Sequence, residues 1–365
     1  MLELIISIPI IIYILLWMLF AIGYVLIKKK KYNTPNNTGI SVIIPFRNEE
    51  KRIQPLLESL SKQEKKDSYE LIFVDDNSED NSHSIVSSWL KKYNSRAKLL
   101  SLNNVKGKKN AIEYGIEMSN QTWILSLDAD VELTQNDFFY KLQQEIEPSK
   151  HFYIIPVAED KGALFISVIE SYILSIITYV SAKYAISLLA SGAGLLFNKD
   201  LFLKLKPYDK NKNIASGDDM FFLSSVLKYN SNLVKVISPK TFKIIVQAPN
   251  NYLEFIHSSI RRMSKMYYVK IRNTKLLGII VIAANVSLLL LLINSVVNNN
   301  FDNLIILTLS KYILDSSLLM LSISIYGGWS LLLVSSFMII LYPLHIIIVF
   351  LFSIFTDSFW KGRTL

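Results

Sequence analysis

The stretch that decides the fold is residues 122–133, with the sequence Thr-Trp-Ile-Leu-Ser-Leu-Asp-Ala-Asp-Val-Glu-Leu. Its first half, residues 123–127, is a short apolar run with aromatic and branched side chains, which is typical of a strand buried on both faces. The run stops at Asp128-Ala129-Asp130. Because ligands of open α/β sheets bind at the carboxyl ends of the strands, this acidic pair marks a candidate site.

Asp128 and Asp130 allow two interpretations. In an extended chain their carboxylates point to the same side, and two neighbouring carboxylates repel each other. A hard cation such as Mg²⁺ or Mn²⁺ relieves that repulsion and keeps coordination positions open for phosphate oxygens. The alternative is structural: the pair forms a turn and caps a helix that begins near Thr134. The motif alone leaves both interpretations open.

The chain before and after this stretch alternates between apolar runs and helical segments. This alternation predicts an α/β fold with a doubly wound, mostly parallel sheet. The polar ends of its strands are expected to lie in one crevice. The predicted strands are residues 40–45, 70–74, 97–102, 123–127, 151–157, 191–197 and two short strands within 233–246.

Composition points to a membrane protein. The chain has 365 residues, of which 51% are hydrophobic, and its mean hydropathy is +0.32. Such values predict membrane segments. The absence of cysteine excludes a disulfide scaffold and a Cys-ligated metal site. The net charge of +9 suits anchoring beside anionic lipid. Since no basic stripe with interleaved aromatic residues is present, we expect no nucleic-acid partner.

The apolar segments suggest a domain plan. The positive-inside rule places the linker, with Lys28–Lys31, and the domain after it in the cytoplasm. The plan is a transmembrane helix at 1–27, a linker at 28–39, a catalytic domain at 40–250, an amphipathic interface helix at 251–272 and a membrane region at 273–365.

The number of membrane crossings is open. The last region holds three apolar segments, residues 276–297, 303–325 and 329–355. A fourth apolar stretch, residues 163–190, carries many Ser and Tyr residues, so we interpret it as an interface or core helix, with a crossing helix as the alternative. Lys311 and Asp315 stand four residues apart and are expected to pair on one helix face.

Four blocks stand in order along the chain. They are Val42-Ile43-Ile44-Pro45 with Arg47-Asn48-Glu49, then Phe73-Val74-Asp75-Asp76-Asn77-Ser78, then Asp128-Ala129-Asp130, and then Gly217-Asp218-Asp219. Taken together, they resemble the membrane-anchored family 2 glycosyltransferases of bacteria, which have the glycosyltransferase A fold. The C-terminal Trp360-Lys361-Gly362-Arg363 is also similar to the end of many bacterial members.

The resemblance implies an inverting, metal-dependent transfer of a sugar from a nucleotide-sugar donor, with a UDP-sugar favoured. Asp128 and Asp130 would bind Mg²⁺ or Mn²⁺. Asp219 would be the catalytic base, and Asp218 stands where the family usually has Glu. The nucleotide-sugar-binding residues would be Pro45, Arg47, Glu49, Asp75, Asp76, Lys108, Asp128 and Arg261.

Structural alternatives remain for several of these residues. Asp75 and Asp76 could form a turn after a strand. Arg47 could be a surface residue, and Lys108 could belong to a solvated basic loop. The pair Asp218-Asp219 could serve only to cap a helix.

The acceptor is expected to be a lipid or a lipid-linked glycan, and the protein a multi-pass protein of the inner membrane. Polymer-making members of the family carry a Gln-x-x-Arg-Trp block, of which only Arg261 is matched here; Arg262 stands in the Trp position. If the alignment shifts by one residue, Arg262 is the matching Arg, and the Trp is missing in either case. A guanidinium offers less apolar area to a sugar face than an indole, so we predict that one or a few sugars are added. The alternatives are a processive polysaccharide synthase and, in another class, a transporter or a non-catalytic scaffold that binds nucleotide sugar.

Overall fold

The computed structural model describes residues 2–27, 38–64, 69–93, 97–103, 105–162, 164–212, 214, 216–355, 359–360 and 363–364. The chain divides into two compact units. The sheet unit comprises Lys29–Asp160, Ala182–Gln247 and Phe359–Leu365, and the helical unit comprises Met1–Lys28, Lys161–Ser181 and Ala248–Ser358. Lys28–Lys31 and most of the predicted linker lie outside the described residues.

The described strands are numbered in chain order. They are β1 (Ile40–Phe46), β2 (Tyr69–Asp75), β3 (Lys98–Ser101), β4 (Trp123–Ser126), β5 (Val131–Leu133), β6 (Phe152–Ile154), β7 (Val157–Glu159), β8 (Leu195–Asn198), β9 (Val234–Val236), β10 (Ile244–Val246), β11 (Phe359–Trp360) and β12 (Arg363–Thr364).

The α-helices are numbered in the same way. They are α1 (Leu2–Leu26), α2 (Gln54–Ser61), α3 (Ser82–Tyr93), α4 (Lys108–Glu117), α5 (Phe138–Gln144), α6 (Phe165–Lys183), α7 (Lys199–Leu205), α8 (Asp218–Asn230), α9 (Tyr252–Tyr268), α10 (Arg272–Asn298), α11 (Asp302–Tyr326), α12 (Ser330–Ser335) and α13 (Met338–Phe355).

The main sheet has seven strands in the order β3-β2-β1-β4-β8-β6-β9. Strands β3, β2, β1 and β4 are parallel, and β8 is antiparallel to both of its neighbours. Every residue of β1 and β4 is buried, as expected for apolar runs covered on both faces. The predicted doubly wound, mostly parallel α/β fold is therefore confirmed.

The topology creates a crevice between β1 and β4. The chain runs from β1 outward to β2 and β3, and then returns to place β4 on the other side of β1. Such a reversal of strand order opens a ligand crevice at the carboxyl ends of the two central strands. Arg47 follows β1 and Asp128 follows β4, so both residues lie at the end of a central strand that borders this crevice.

Two local predictions are wrong. The helix expected near Thr134 begins only at Phe138, because Val131–Leu133 forms β5 and pairs with β10. Val131 and Leu133 are buried while Glu132 between them is exposed, which is the two-residue period of a strand. The single strand predicted at 151–157 is two strands in different sheets, separated around Pro156, which has no N–H for a ladder.

The helical unit contains candidate membrane spans. By length and composition, α6, α10, α11 and residues Glu3–Leu26 of α1 could each cross a membrane. In the most apolar part of α6, 67% of the residues are buried, compared with 17–33% in the other three helices. Both interpretations of α6, as a core helix and as a crossing helix, therefore stay open. The apolar segment predicted at 329–355 is interrupted between α12 and α13.

A polar cluster joins α1 and α11. Lys311 Nζ lies 2.6 Å from Asp315 Oδ2, which confirms the predicted pair. The Tyr13 hydroxyl donates to Asp315 Oδ1 at 2.6 Å, and Lys311 Nζ lies 4.9 Å from the centre of the Tyr13 ring. Ionisable side chains in apolar helices are costly unless they are paired, and here each charge has a partner within the bundle.

Candidate active site

The loops after β1 and β2 hold each other in place. Asn48 and Asn77 both have positive φ, a conformation that asparagine tolerates better than most residues. Asn48 Oδ1 accepts a hydrogen bond from Glu79 N at 2.8 Å, and the backbone N–H of Glu49 donates to Ser82 Oγ at 2.7 Å. These contacts fix the two strand ends that carry the predicted nucleotide-binding residues.

The acidic residues after β2 are engaged in backbone contacts. Asp75 Oδ1 accepts from Ser78 N at 2.9 Å, which is the turn contact expected from the structural alternative. Asp76 Oδ1 accepts from Gly107 N at 2.8 Å and so ties the basic loop to the strand end. Burial raises the pKa of the Asp76 carboxyl.

Pro45, Arg47 and Glu49 line the end of β1. Arg47 and Glu49 are each only 9% exposed, so the interpretation of Arg47 as an ordinary surface residue is wrong. Arg47 Nη2 lies 3.2 Å from Glu79 Oε1, and Glu79 is largely exposed. The fork of Arg47 is thus held at the crevice by a side chain that a ligand could displace at little cost.

Lys108 joins two of the acidic blocks. Its Nζ lies 2.6 Å from Asp128 Oδ1 and 3.1 Å from Asp218 Oδ2. Burial disfavours a charged amine, but the carboxylates of Asp128 and Asp218 outweigh it and raise the pKa of Lys108. Lys108 therefore stays positively charged at neutral pH, and its interpretation as part of a solvated basic loop is wrong.

Asp218 and Asp219 begin α8, after Gly217, which has a φ of 87° that favours glycine. Asp219 Oδ2 accepts from Gly192 N at 3.2 Å, and its Oδ1 accepts from Met220 N at 2.8 Å. The carboxylate is thus oriented by two backbone N–H groups, one of them from the segment before β8.

Gly192 lies at the centre of the cluster. A methyl group in place of its hydrogen would come 2.8 Å from Lys108 Nζ, 2.9 Å from Asp218 Oδ2 and 3.8 Å from Asp128 Oδ1. The cluster therefore gathers one lysine, three carboxylates and a bare backbone segment around one point. Tyr208 also feels the charges of this cluster. Burial, followed by the negative charges of Asp218 and Asp219, raises the pKa of its phenol.

Asp130 points to a different cation. Its Oδ2 lies 2.5 Å from Arg52 Nη2, at the entrance to α2. Among the described residues, no group of three or more His, Cys, Asp or Glu side chains is gathered closely enough to hold a metal by itself. The donor chemistry nevertheless suits Mg²⁺ or Mn²⁺, because Asp128, Asp130, Asp218 and Asp219 carry four negative charges against two from Lys108 and Arg52.

Arg261 belongs to α9 of the helical unit, where its neighbour Arg262 is engaged with other side chains. Arg262 Nη2 lies 2.7 Å from Glu170 Oε1 and also donates to Ser259 Oγ at 2.9 Å. Its guanidinium lies 5.9 Å from the centre of the Phe255 ring. Arg262, which the sequence analysis aligns with a Trp of the polymer-making enzymes, is therefore held in an ion pair.

Sequence reasoning missed three residues of the site. Gly192 stands in Ser-Gly-Ala-Gly, a pattern that indicates a turn and says nothing about its neighbours. Arg52 follows a run of charged residues in which nothing distinguishes it. Tyr208 lies in a segment between two helices and carries no motif. Each becomes visible only once the chain is folded.

Replacing Gly192 by Ala should damage the site without affecting the fold. Its φ lies outside the left-handed region, so the strain is steric and comes from Lys108 Nζ and Asp218 Oδ2. We expect the Gly192→Ala turnover to fall about tenfold or more, because a displacement of about 1 Å at reacting groups can cost 10²-fold. Gly278→Ala is the matched control, since its methyl group would meet only Met266 Cε at 3.8 Å. Wild-type turnover in Gly192→Ala would contradict the placement.

Comparison with known proteins supplies the context for this geometry. The family model described as "Glycosyl transferase family 2" matches residues 41–203. The chain is 36% identical over 114 residues to a dolichyl-phosphate beta-glucosyltransferase of Dictyostelium discoideum, covering 29% of this chain and 35% of that protein. It is 28% identical over 135 residues to a poly-beta-1,6-N-acetyl-D-glucosamine synthase of Staphylococcus epidermidis, covering 35% and 32%. The matched stretches thus span about a third of these relatives.

A solved structure resembles nearly the whole chain. It is a mannosyltransferase of Pyrobaculum calidifontis in complex with GDP-Man and Mn²⁺, with a TM-score of 0.60 and 14% sequence identity. The superposition covers 96% of this chain and 97% of that one. At this identity the likeness shows the fold.

Proposed function

We propose that this chain, whose residues 41–203 match the model of glycosyl transferase family 2, transfers a sugar from a nucleotide-sugar donor to a membrane-embedded acceptor. The observation that carries the proposal is the cluster at the crevice, in which Lys108 bridges Asp128 and Asp218 beside Asp219. A half-buried cation among carboxylates that follow β4 and begin α8 suits a reaction in which negative charge moves onto a leaving diphosphate.

Single displacement is the step we assign to the site. The acceptor hydroxyl attacks the anomeric carbon of the sugar, the bond from that carbon to the diphosphate oxygen breaks, and the configuration is inverted. Asp219 takes the proton that the hydroxyl loses. Its two backbone contacts, from Gly192 and Met220, hold the carboxylate in one orientation while it does so.

Asp128 and Asp130 would hold Mg²⁺ or Mn²⁺, which supplies positive charge to the diphosphate when it is bound. Lys108 supplies a second, permanent charge at the same place. Because Lys108 keeps its proton at neutral pH, it can neutralise phosphate oxygens as a point charge and then return to Asp128 and Asp218. Asp218 thereby acts as the resting partner of Lys108.

The nucleoside end of the donor would lie along the loops after β1 and β2. Pro45, Arg47 and Glu49 would line the base, and Asp75 or Asp76 would accept hydrogen bonds from uracil or ribose. We favour a UDP-sugar on this basis. Since one structural relative is solved with GDP-Man, a guanine nucleotide is the competing donor to test.

The acceptor we propose is a lipid or a lipid-linked glycan on the cytoplasmic side of an inner membrane. The described part of the chain holds four apolar helices long enough to cross a membrane, and one relative is named for dolichyl phosphate. The basic helix α9, with Arg261, Arg262 and Lys265, suits anionic lipid.

We propose that one or a few sugars are added. A processive synthase is the second candidate, because one group of relatives makes a polysaccharide. Against it stands Arg262, which occupies the position of the family's sugar-stacking Trp and is held by Glu170. A scaffold that binds nucleotide sugar without reaction is the non-enzymatic alternative.

A donor panel tests the proposal. The purified full-length protein in native lipids is given UDP- and GDP-sugars with Mn²⁺, and nucleoside diphosphate release is measured. Mass spectrometry of the lipids then gives the product size. We expect release with one nucleotide class, with lipid products that carry one or a few sugars. A ladder of long chains would favour the synthase, and binding without release would favour the scaffold.

A further inference from the structure

Lys109, the residue after Lys108, is buried in a different environment. It is only 4% exposed, and its Nζ donates to three backbone carbonyl oxygens. The acceptors are Asn211 O at 2.7 Å, Ile214 O at 2.5 Å and Ser216 O at 3.1 Å. An ammonium has three N–H donors, so these contacts satisfy the whole group, which otherwise could not be buried without a large cost.

The three carbonyls all belong to the segment that leads into Asp218 and Asp219. Ser216 is followed by Gly217, and Asp218 and Asp219 come next at the start of α8. Lys109 Nζ also lies 4.7 Å from the centre of the Phe221 ring, and the same ring packs against Gly217, where an added methyl group would come within 2.9 Å of it. The lysine therefore contacts this segment from both sides of the glycine turn.

Two adjacent lysines thus reach the same region with different targets. Successive residues of a helix point about 100° apart, so Lys108 and Lys109 at the start of α4 leave the helix in different directions. Lys108 contacts the carboxylates of Asp128 and Asp218, while Lys109 binds the backbone that precedes Asp218. Because α4 is packed tightly on β1 at Gly115, the base of both side chains is fixed to the sheet.

We propose that Lys109 is a positioning residue, whose ammonium clamps the backbone at Asn211, Ile214 and Ser216 and thereby sets the place of Asp218 and Asp219. The clamp works through charge and N–H geometry, since an apolar side chain of equal length would remove one donor from each of three carbonyl oxygens. Of these, Asn211 O also accepts from Ile214 N at 3.1 Å. Its effect on turnover rests on the proposed function, whereas its effect on the order of the loop does not.

The chain offers a matched control. Lys212 lies in the same loop, and its Nζ is 2.9 Å from Glu113 Oε2 on the same helix α4, but this pair is at the surface. Lys212→Met therefore removes a lysine and a contact between the same two segments without touching the carbonyl clamp. Exposed pairs of this kind contribute little to stability.

Hydrogen exchange read by mass spectrometry gives the first test. In Lys109→Met, backbone amides of residues 211–223 should exchange faster than in wild type and in Lys212→Met. Turnover should fall about tenfold or more, because a shift of about 1 Å in a base can cost 10²-fold, while nucleotide affinity changes little. Exchange like that of Lys212→Met would overturn the proposal.

Chemical rescue separates the clamp from simple packing. Lys109→Ala leaves room for a small amine, so methylammonium should slow the exchange of residues 211–223 again and restore part of the turnover. Tetramethylammonium, which has charge but no N–H, should do neither. Rescue by both cations, or by neither of them, would overturn the clamp. If Lys109→Ala does not fold, Lys109→Gln keeps two N–H donors and should show intermediate exchange; wild-type exchange there would also overturn it.

The two proposals fail in different ways. If the wild-type protein transfers no sugar but the exchange and rescue results hold, the proposed function is wrong and the clamp stands. If transfer is robust and Lys109→Met has the exchange and turnover of wild type, the clamp is wrong and the proposed function stands.

Discussion

Asp219→Asn should lower the rate of sugar transfer by at least ~10²-fold, which is the usual contribution of a positioned general base. The substitution keeps the size of the side chain and one oxygen that can accept from Gly192 N or Met220 N. It removes the ability to take a proton from the acceptor hydroxyl. Nucleoside diphosphate and metal should therefore bind as in wild type, which isothermal titration can measure beside the rate.

Asp209→Asn provides the control for this experiment. Asp209 lies between α7 and α8, its side chain is 54% exposed, and its Oδ1 lies 4.0 Å from Lys212 Nζ. The same chemical change there should leave the rate unaltered. If Asp219→Asn transfers sugar at the wild-type rate, the base lies elsewhere, and Asp218 is the next candidate to replace.

Asp130→Asn should cost about 3 kcal/mol of transition-state stabilisation, the size of effect seen when one electrostatic stabiliser is lost. Wild-type turnover should require Mg²⁺ or Mn²⁺ and disappear in EDTA, and the variant should need more metal to reach half of its maximal rate. Full turnover of the wild-type protein in EDTA would contradict the metal assignment for Asp128 and Asp130.

Replacing Arg52 tests whether Asp130 binds metal or only holds Arg52. Arg52 Nη2 lies 2.5 Å from Asp130 Oδ2. The structural alternative is that Asp130 binds no metal and serves only to hold Arg52 in place. In that case Arg52→Gln would cost as much as Asp130→Asn, and the double variant would cost no more than either. We expect instead a much smaller loss for Arg52→Gln, with the metal requirement unchanged.

The elements that follow from local patterns were predictable from the sequence. The apolar runs of β1, β2 and β4 are long, buried on both faces and bounded by polar residues, so their positions follow from composition. The convergence of the acidic blocks follows from parallel topology, because strand ends of one sheet share one edge. Val131–Leu133 was missed since its strand character comes from pairing with β10, which lies more than a hundred residues later.

In the site, too, local sequence patterns do not predict the contacts of single side chains. Lys108 and Lys109 are identical neighbours in the sequence, and only the fold assigns one to carboxylates and the other to backbone carbonyls. Gly192 could be read as a turn residue, but its distance from Lys108 and Asp218 depends on the pairing of β8 with β4. Contacts across long stretches of chain are set by packing and leave no trace in local periodicity.

The stereochemistry of transfer tests the central claim most directly. The purified protein is supplied with an α-linked nucleotide sugar, and the anomeric configuration of the first lipid product is read by NMR before it can equilibrate. Single displacement with Asp219 as base predicts a β-linked product, formed at least ~10²-fold more slowly by Asp219→Asn. An α-linked product would require two displacements or front-face attack, and would contradict the assignment of Lys108, Asp128 and Asp219 to one inverting site.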